Sequence, residues 1–365
     1  MTQPTTSHPY YEWQEREGIP IHRGFSVPEC TTAELAPWPR LGGAGAFISL
    51  GTKPGHDTGH YLCEIPARGE LKPTRHMFEE MIYVLSGRGV TTVWNEGHPK
   101  RMFEWGPGSL IGIPLNAWYQ HFNSGDEPAR FISHNNAPFM MSIFKSDRFL
   151  WNNPYVFDDR YSGDESYFSG EGKLHPGRVW ETNFIPDAKT LTLQEWKERG
   201  AGGLNVMLRM VDSVLNGHIS QFPIGTYKKG HVDPDVKGRD PGGGAHLLII
   251  DGVGFTLVWE PGDKDFRRID WKANTLIVSP RGFYHQHFNT GPTPARYIAL
   301  RADQATQYGK VRRVSDVSEK EGGGQVEYED ENPRIHMIFE EECNKHGVTC
   351  QMNALSPFCT TAVAV

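Results

Sequence analysis

No run of eighteen apolar residues occurs in this 365-residue chain, and Met1–Pro20 carries no apolar stretch of the kind that directs secretion. The first absence speaks against a membrane-spanning helix, and the second leads us to expect a soluble, cytoplasmic protein. Positive charge is short as well: 37 Lys and Arg stand against 44 Asp and Glu, a net charge of −7. Without a basic excess there is no overall field to hold a phosphate backbone or anionic lipid, so neither nucleic acid nor a membrane surface is an expected partner. Cysteine is scarce and scattered, at Cys30, Cys63, Cys343, Cys350 and Cys359. An odd number with no Cys-x-x-Cys argues against a disulfide framework and a zinc knuckle, and the thiols read as buried or incidental. Long helical stretches are missing too, because 40 Gly and 26 Pro cut the chain into short elements joined by turns.

What the chain does contain is a duplication. The segment Trp118 to Arg130, WYQHFNSGDEPAR, recurs as YHQHFNTGPTPAR from Tyr284 to Arg296, 166 residues later. GRGVTTVW from Gly87 matches GVGFTLVW from Gly252, and Trp105, Leu110, Ile111 and Pro114 match Trp271, Leu276, Ile277 and Pro280. Matches in one order over such a span identify tandem copies of one unit, in keeping with the two domains that the length suggests. Within each copy, short alternating or apolar runs such as MIYVLSG, SLIGIP and HLLIIDG are bounded by Gly, Pro and Asn. These are strand signatures, and each copy is expected to be a compact antiparallel barrel, giving an all-β protein with a few short helices.

The expected organisation is an N-terminal arm (1–50), a first barrel (51–150), a linker (151–190), a second barrel (191–330) and a C-terminal helix and tail (331–365). The arm reads as irregular and able to cover a barrel edge or a neighbouring subunit. Thr192 and Glu195 form a capping box that predicts a short helix carrying Trp196 and stopping at Gly200. Asn332 and Pro333 open a helix whose stripe of Ile335, Ile338, Phe339 and Cys343 should pack on a barrel before Gly347 ends it. The tail beyond Gly347 has no period and is expected to be mobile. Asn123 and Asn289 should fix the turns that follow them, and Arg130 and Arg296 should pair with a carboxylate between strands or at the interface of the barrels.

A metal site inside a barrel needs several N or O ligands converging on the lumen, and strand alternation puts residues i and i+2 on one face. In the second copy His285 and His287 are such a pair, and upstream stand His231, Asp233 and His246. Pro280-Arg-Gly282-Phe-Tyr-His285-Gln-His-Phe-Asn289, with Gly225 and His231 separated by five residues, resembles the two motifs of the cupin family. The resemblance implies two jelly-roll barrels, with His231 and His285 as metal ligands. It also implies that Asp233 stands at the second histidine position and His246, after an expanded loop, at the glutamate position. The first copy resembles a degenerate counterpart: Thr74-x-His76 and Glu80 for the first motif, and Pro114-Leu-Asn116 with Tyr119 at the ligand histidine for the second. His76, Glu80 and His121 could still hold a metal there, as a weaker site. His287 is expected beside the ligands, in a structural or supporting role, because its counterpart His121 persists in the copy that lost its ligand.

Mixed His and carboxylate ligation suits Fe(II), Mn(II), Ni(II), Cu(II) or Zn(II). Tyr227, Tyr284, Lys228 and Lys229 are candidates for orienting a substrate or moving protons, with Tyr227, Tyr284 and His287 as the catalytic set. The leading expectation is an Fe(II) dioxygenase of the bicupin type that cleaves a small aromatic or diketone compound chelating through oxygen. The alternatives are a redox-neutral Mn or Zn lyase, hydrolase, isomerase or decarboxylase on the same site, and a non-catalytic binding or storage protein. Duplicated barrels of this family are commonly oligomeric, so a homo-oligomer is expected.

Overall fold

A computed structural model describes residues 8–51, 57–232, 244–302 and 314–360. The chain folds as two jelly-roll barrels, each a large sheet facing a small one, with few helices. The first large sheet runs in spatial order Ile21–Gly24, Gly43–Leu50, Gly59–Ile65, Ala129–Asn135, Glu80–Ser86, Leu110–Ile113 and Phe184–Ile185, and its partner sheet is Trp118–Asn123, Gly89–Trp94 and Arg101–Trp105. The second large sheet runs Lys173–His175, Val179–Glu181, Leu204–Arg209, Leu215–Phe222, Ala295–Ala302, Gly244–Asp251, Leu276–Pro280 and Ser26–Val27. Its partner sheet is His231–Val232, Tyr284–Asn289, Val253–Trp259 and Arg267–Lys272.

The sequence patterns follow from this layering. Strands of the small sheets of the first barrel have one wet face and alternate, as in Gly89–Trp94 and Trp118–Asn123. Strands of the large sheets are covered on both faces and read as unbroken apolar runs. One face of each large sheet lines its own lumen, with Tyr61, Ile82, Val84 and Phe131 in the first barrel and Leu247, Ile249 and Tyr297 in the second. The other faces meet back to back in one shared core, where Leu62, Met81, Tyr83 and Ile132 pack with Leu208, Ile219, Leu248 and Ile298. Each such side chain contributes about 1.5–3 kcal/mol when fully buried, so the contact between the barrels is as apolar as either interior.

The arm and the linker are woven into the barrels. Ser26–Val27 pairs with Leu276 and Ile277 of the second barrel, while Phe184–Ile185 of the linker pairs with Leu110 and Ile111 of the first. Gly43–Leu50, grouped with the arm on sequence, is a full strand of the first large sheet. The helix predicted from Thr192 does not form. Gln194–Glu195 pairs with Leu204–Asn205 instead, and only a 3-10 turn, Lys197–Arg199, follows before Gly200. A segment of two turns has little helical stability of its own, and here the ladder with a neighbouring strand and the burial of Trp196 outweigh its capping box.

The second predicted helix forms as expected over Pro333–His346, with the Asn332 side chain accepting from Arg334 N and Gly347 in the left-handed conformation. Ile335, Phe339 and Cys343 pack on Phe255, Leu257 and Phe288 of the second barrel. The tail is not loose up to Thr360. Gln351 N donates to Gly225 O at 2.8 Å, and Cys350 and Met352 are buried, so apolar side chains without periodicity still fix it. Asn123 and Asn289 brace their turns, each donating to the carbonyl four residues on, Glu127 O at 2.8 Å and Thr293 O at 2.9 Å. Arg130 pairs with Glu64 at 2.6 Å, whereas Arg296 bonds to the side chain of Gln221 and the carbonyl of Leu191. Among the described residues no helix is long and apolar enough to cross a membrane.

Candidate functional site

The second lumen gathers the charged residues. His231 and His285 lie opposite each other on paired strands, with ring centroids 4.0 Å apart. His285 Nδ1 donates to Phe283 O at 3.4 Å, and His231 Nδ1 is buried without a hydrogen bond. Burial, reinforced by Arg199 and His285, holds the His231 imidazole well below its ordinary range. Two imidazole rings at this separation suit a divalent metal.

Around them the lumen is lined by Arg199, Lys228 and Arg301, by His218 and His287, and by Trp196 and Tyr297, with no carboxylate among the described lining residues. Arg199 is held by Asp316 at 3.1 Å and by Ser315 O at 2.7 Å. Lys228 Nζ donates to Ser220 Oγ at 2.7 Å and Tyr297 Oη at 3.1 Å. Burial, with Arg199 adding to it, pushes the Lys228 ammonium well below its usual range. His287 Nδ1 meets Thr256 Oγ1 at 2.9 Å, and Trp271 Nε1 donates to the same hydroxyl at 3.0 Å. The Thr256 hydroxyl thus holds His287 and Trp271 together and fixes the orientation of the imidazole.

Five sequence expectations need correction or fall elsewhere. His246 does not reach this lumen. It lies on the opposite face of its strand, its ring tilted against His60 of the first barrel at 4.0 Å, and burial pushes its pKa down to about 3. The position equivalent to Glu80 is Ala245: Glu80 pairs with Ile113 and Ala245 with Ser279, 166 residues further on. A one-residue slip in register exchanges the faces of a strand. Tyr227 also points away from the lumen and is buried against the C-terminal helix, bonded to Glu331 and His336. Its neighbour Lys228 takes the inward place. Tyr284 sits at the rim, stacked on Trp259 and bonded to Glu319. Asp233 lies outside the described residues. Lys229 faces outward to pair with Glu327.

The first lumen brings its expected residues together in another form. His76 Nδ1 donates to Phe78 O at 2.7 Å, and Nε2 lies 3.2 Å from Glu80 and 3.1 Å from Tyr119. Glu80 accepts in addition from the hydroxyls of Tyr61, Ser133 and Tyr119. Burial alone would raise this carboxyl, but His76 and the hydroxyls outweigh it and hold it below its ordinary range. His121 repeats the arrangement of His287, with Thr91 at 2.6 Å on Nδ1 and Trp105 on the same hydroxyl. The ligand atoms of His76, Glu80 and His121 do not all lie within 4.8 Å of one another. Three hydroxyls occupy the Glu80 lone pairs that a metal would take. Asn116 keeps the turn before Tyr119 at φ 56°, where the second copy has Gly282 at φ 81°; Asn is one of the few other residues that enter this conformation readily.

Residues 61–135 match the family model of the cupin domain, and both barrels superpose on solved two-barrel structures. Oxalate decarboxylase of Bacillus subtilis aligns with a TM-score of 0.51 at 11% identity, over 78% of each chain. The chain thus has a fold of two cupin-like barrels, the first of which matches the cupin domain in sequence. Oxalate decarboxylase of Lactobacillus farciminis, solved as a formate complex, aligns with this chain at a TM-score of 0.50 and 13% identity, over 79% of this chain and 88% of that one. A further Bacillus subtilis structure of the enzyme, concerned with its Mn(II) centres, aligns at 0.50 and 12% identity. At such identities the likeness is one of fold. Among curated proteins none matches this chain in sequence.

His218, Arg199 and Arg301 are the lumen residues that sequence reasoning missed. His218 and Arg301 were accessible to it, since they continue the inward alternation of Ser220 and Phe222 and of Tyr297 and Ala299 on their strands. Arg199 comes from a turn and carried no such signal.

Proposed function

We propose that this chain binds a divalent metal at His231 and His285 and acts on a small carboxylate by a redox-neutral route, decarboxylation or a related carbon–carbon cleavage, rather than by Fe(II)-dependent oxygen insertion. The observation that carries this reading is the set of three basic side chains, Arg199, Lys228 and Arg301, lining the lumen beside His231 and His285. A site of that sign recognises an anion. The gap between these side chains is about 10 Å³, room for roughly one water, which favours a substrate of a few atoms over an aromatic ring. The fold shared with Mn-containing oxalate decarboxylases supports the same choice.

A bound divalent metal would supply Lewis acidity to a carboxylate or carbonyl oxygen of the substrate. The arginines would bind and orient a carboxylate, Arg301 from the strand Ala295–Ala302 and Arg199 from a turn braced by Asp316. Trp196, Tyr297 and Leu247 exclude water on the remaining sides. His287, oriented by Thr256, and Lys228 are the proton-carrying groups nearest the carbon left after cleavage. The first barrel takes no part in this chemistry.

Protein loaded separately with Mn(II) and with Fe(II) is assayed on short mono- and dicarboxylates, with carbon dioxide release and oxygen uptake followed in one vessel. Carbon dioxide released without matching oxygen uptake is the expected result. One-for-one oxygen uptake that depends on Fe(II) would restore the dioxygenase reading.

A further inference from the structure

Outside both lumens, one group of side chains has the composition and spacing of a metal site. His336 and Glu340 stand one turn apart on the helix Pro333–His346, and Cys350 and Cys359 return to that face from the tail. One ligand atom from each of the four lies within 4.8 Å of all the others, and no other set of this kind occurs among the described residues. We propose that His336, Glu340, Cys350 and Cys359 bind a zinc ion that pins the C-terminal segment to the helix and, through the helix, to the second barrel.

Distances come first. Zn–S, Zn–N and Zn–O bonds of about 2.3, 2.0 and 2.1 Å at tetrahedral angles put ligand atoms roughly 3.4–3.8 Å apart. Cys350 Sγ and Cys359 Sγ are 3.5 Å apart, Cys359 Sγ and Glu340 Oε1 3.5 Å, and His336 Nε2 and Glu340 Oε1 3.2 Å. The sulfur separation is well beyond a disulfide bond of about 2.05 Å.

The state of His336 is a second, independent observation. The ring is fully buried, and its Nδ1 lies 2.9 Å from Tyr227 Oη. The Tyr227 hydroxyl donates to Glu331, so it accepts from His336 Nδ1–H. Nε2 then has no well-directed hydrogen bond and faces the Glu340 carboxylate at 3.2 Å. A cation bound between the two would satisfy both. Fixing the ligand nitrogen through a hydrogen bond on the other ring nitrogen is the usual support of a metal-bound histidine.

The donor set selects the ion: two thiolates, an imidazole and a carboxylate at tetrahedral spacing suit zinc. Binding displaces one proton from each thiol, so two protons leave for each Zn(II) taken up, with no change of oxidation state. With four protein ligands the site would be closed and structural.

Full-length, reduced protein is titrated with Co(II) and then with Zn(II). No cysteine lines the second lumen, so a near-ultraviolet thiolate-to-cobalt charge-transfer band reports on the tail. The expected result is one equivalent of Co(II) giving that band, its loss when Zn(II) is added, and its absence in Cys350→Ser/Cys359→Ser. The band should survive in His285→Ala, which separates this proposal from that of the barrel metal. A wild-type measurement guards against misfolding of the double variant: Zn(II) should slow alkylation of Cys350 and Cys359 by at least about tenfold, because a metal-held sulfur is a poor nucleophile. Absence of the band with both thiols reduced, alkylation indifferent to Zn(II), or a Cys350–Cys359 disulfide in freshly purified protein would each overturn the proposal.

Discussion

At the scale of single residues, the face on which a histidine lies decides its role. His285→Ala should remove metal from the second barrel, whereas His246→Ala should leave metal content unchanged and cost about 1–3 kcal/mol, because it empties a packed contact between the barrels. Metal analysis combined with urea unfolding distinguishes the two, and loss of metal from His246→Ala would contradict the geometry. Arg301→Gln should raise KM for a carboxylate substrate at least about tenfold, the 1.4 kcal/mol or more expected of a charge-assisted contact; an unchanged KM in steady-state assays would remove Arg301 from substrate binding. The facing of His231 and His285 was legible in the sequence because Pro280, Gly282, His285 and Asn289 keep their spacing in a tight turn and strand. His246 was misplaced because the expanded loop ahead of it hid the register. Counting back seven residues from Gly252, as from Gly87 to Glu80, reaches Ala245. The cluster at His336 was not legible, since its ligands come from two elements and no short Cys motif announces it.

At the scale of elements, the helix Pro333–His346 and its buried acid make a pH-dependent clasp. Glu331 faces Tyr227, Gln286 and Ser356, with Tyr328 and His336 in contact with the same tyrosine. Burial raises its pKa from 4.5 to about 7, against the lowering effect of those hydrogen bonds. The folded protein therefore binds more protons than the unfolded chain between pH 4.5 and 7. This group's contribution to stability is whole below pH 4.5, falls as pH rises, and is gone above about pH 7, an effect of at most about 3 kcal/mol. Urea unfolding across that range should show a negative slope that Glu331→Gln reduces; an identical slope in the variant would assign the effect to another group. The same helix depends on its cap: Asn332→Ala should cost about 1 kcal/mol, read as a lower urea midpoint. The strands of the barrels were legible from alternation and apolar runs, while the short helix expected at Thr192 was lost to a ladder that local sequence does not reveal.

At the scale of the molecule, the duplicated barrels do not stand as separate bodies. A single apolar core joins them back to back, the arm completes the sheet of the far barrel, and the linker completes that of the near one. Calorimetry should accordingly show one cooperative transition, with the calorimetric enthalpy matching the van't Hoff value; two resolved transitions would show the halves to be independent. The repeat announced two barrels, but nothing in either copy foretold this exchange of edges, because the strands that cross over lie outside the repeated segments. Pro28 and Thr275, hydrogen-bonded at 2.8 Å, are 247 residues apart along the chain. During synthesis the early segment leaves the ribosome long before its mate has been made, at about 5–20 residues per second. The final edge of the second barrel can close only when translation is nearly over, so a nascent chain stalled before residue 275 would still have Ser26 and Val27 open to proteolysis.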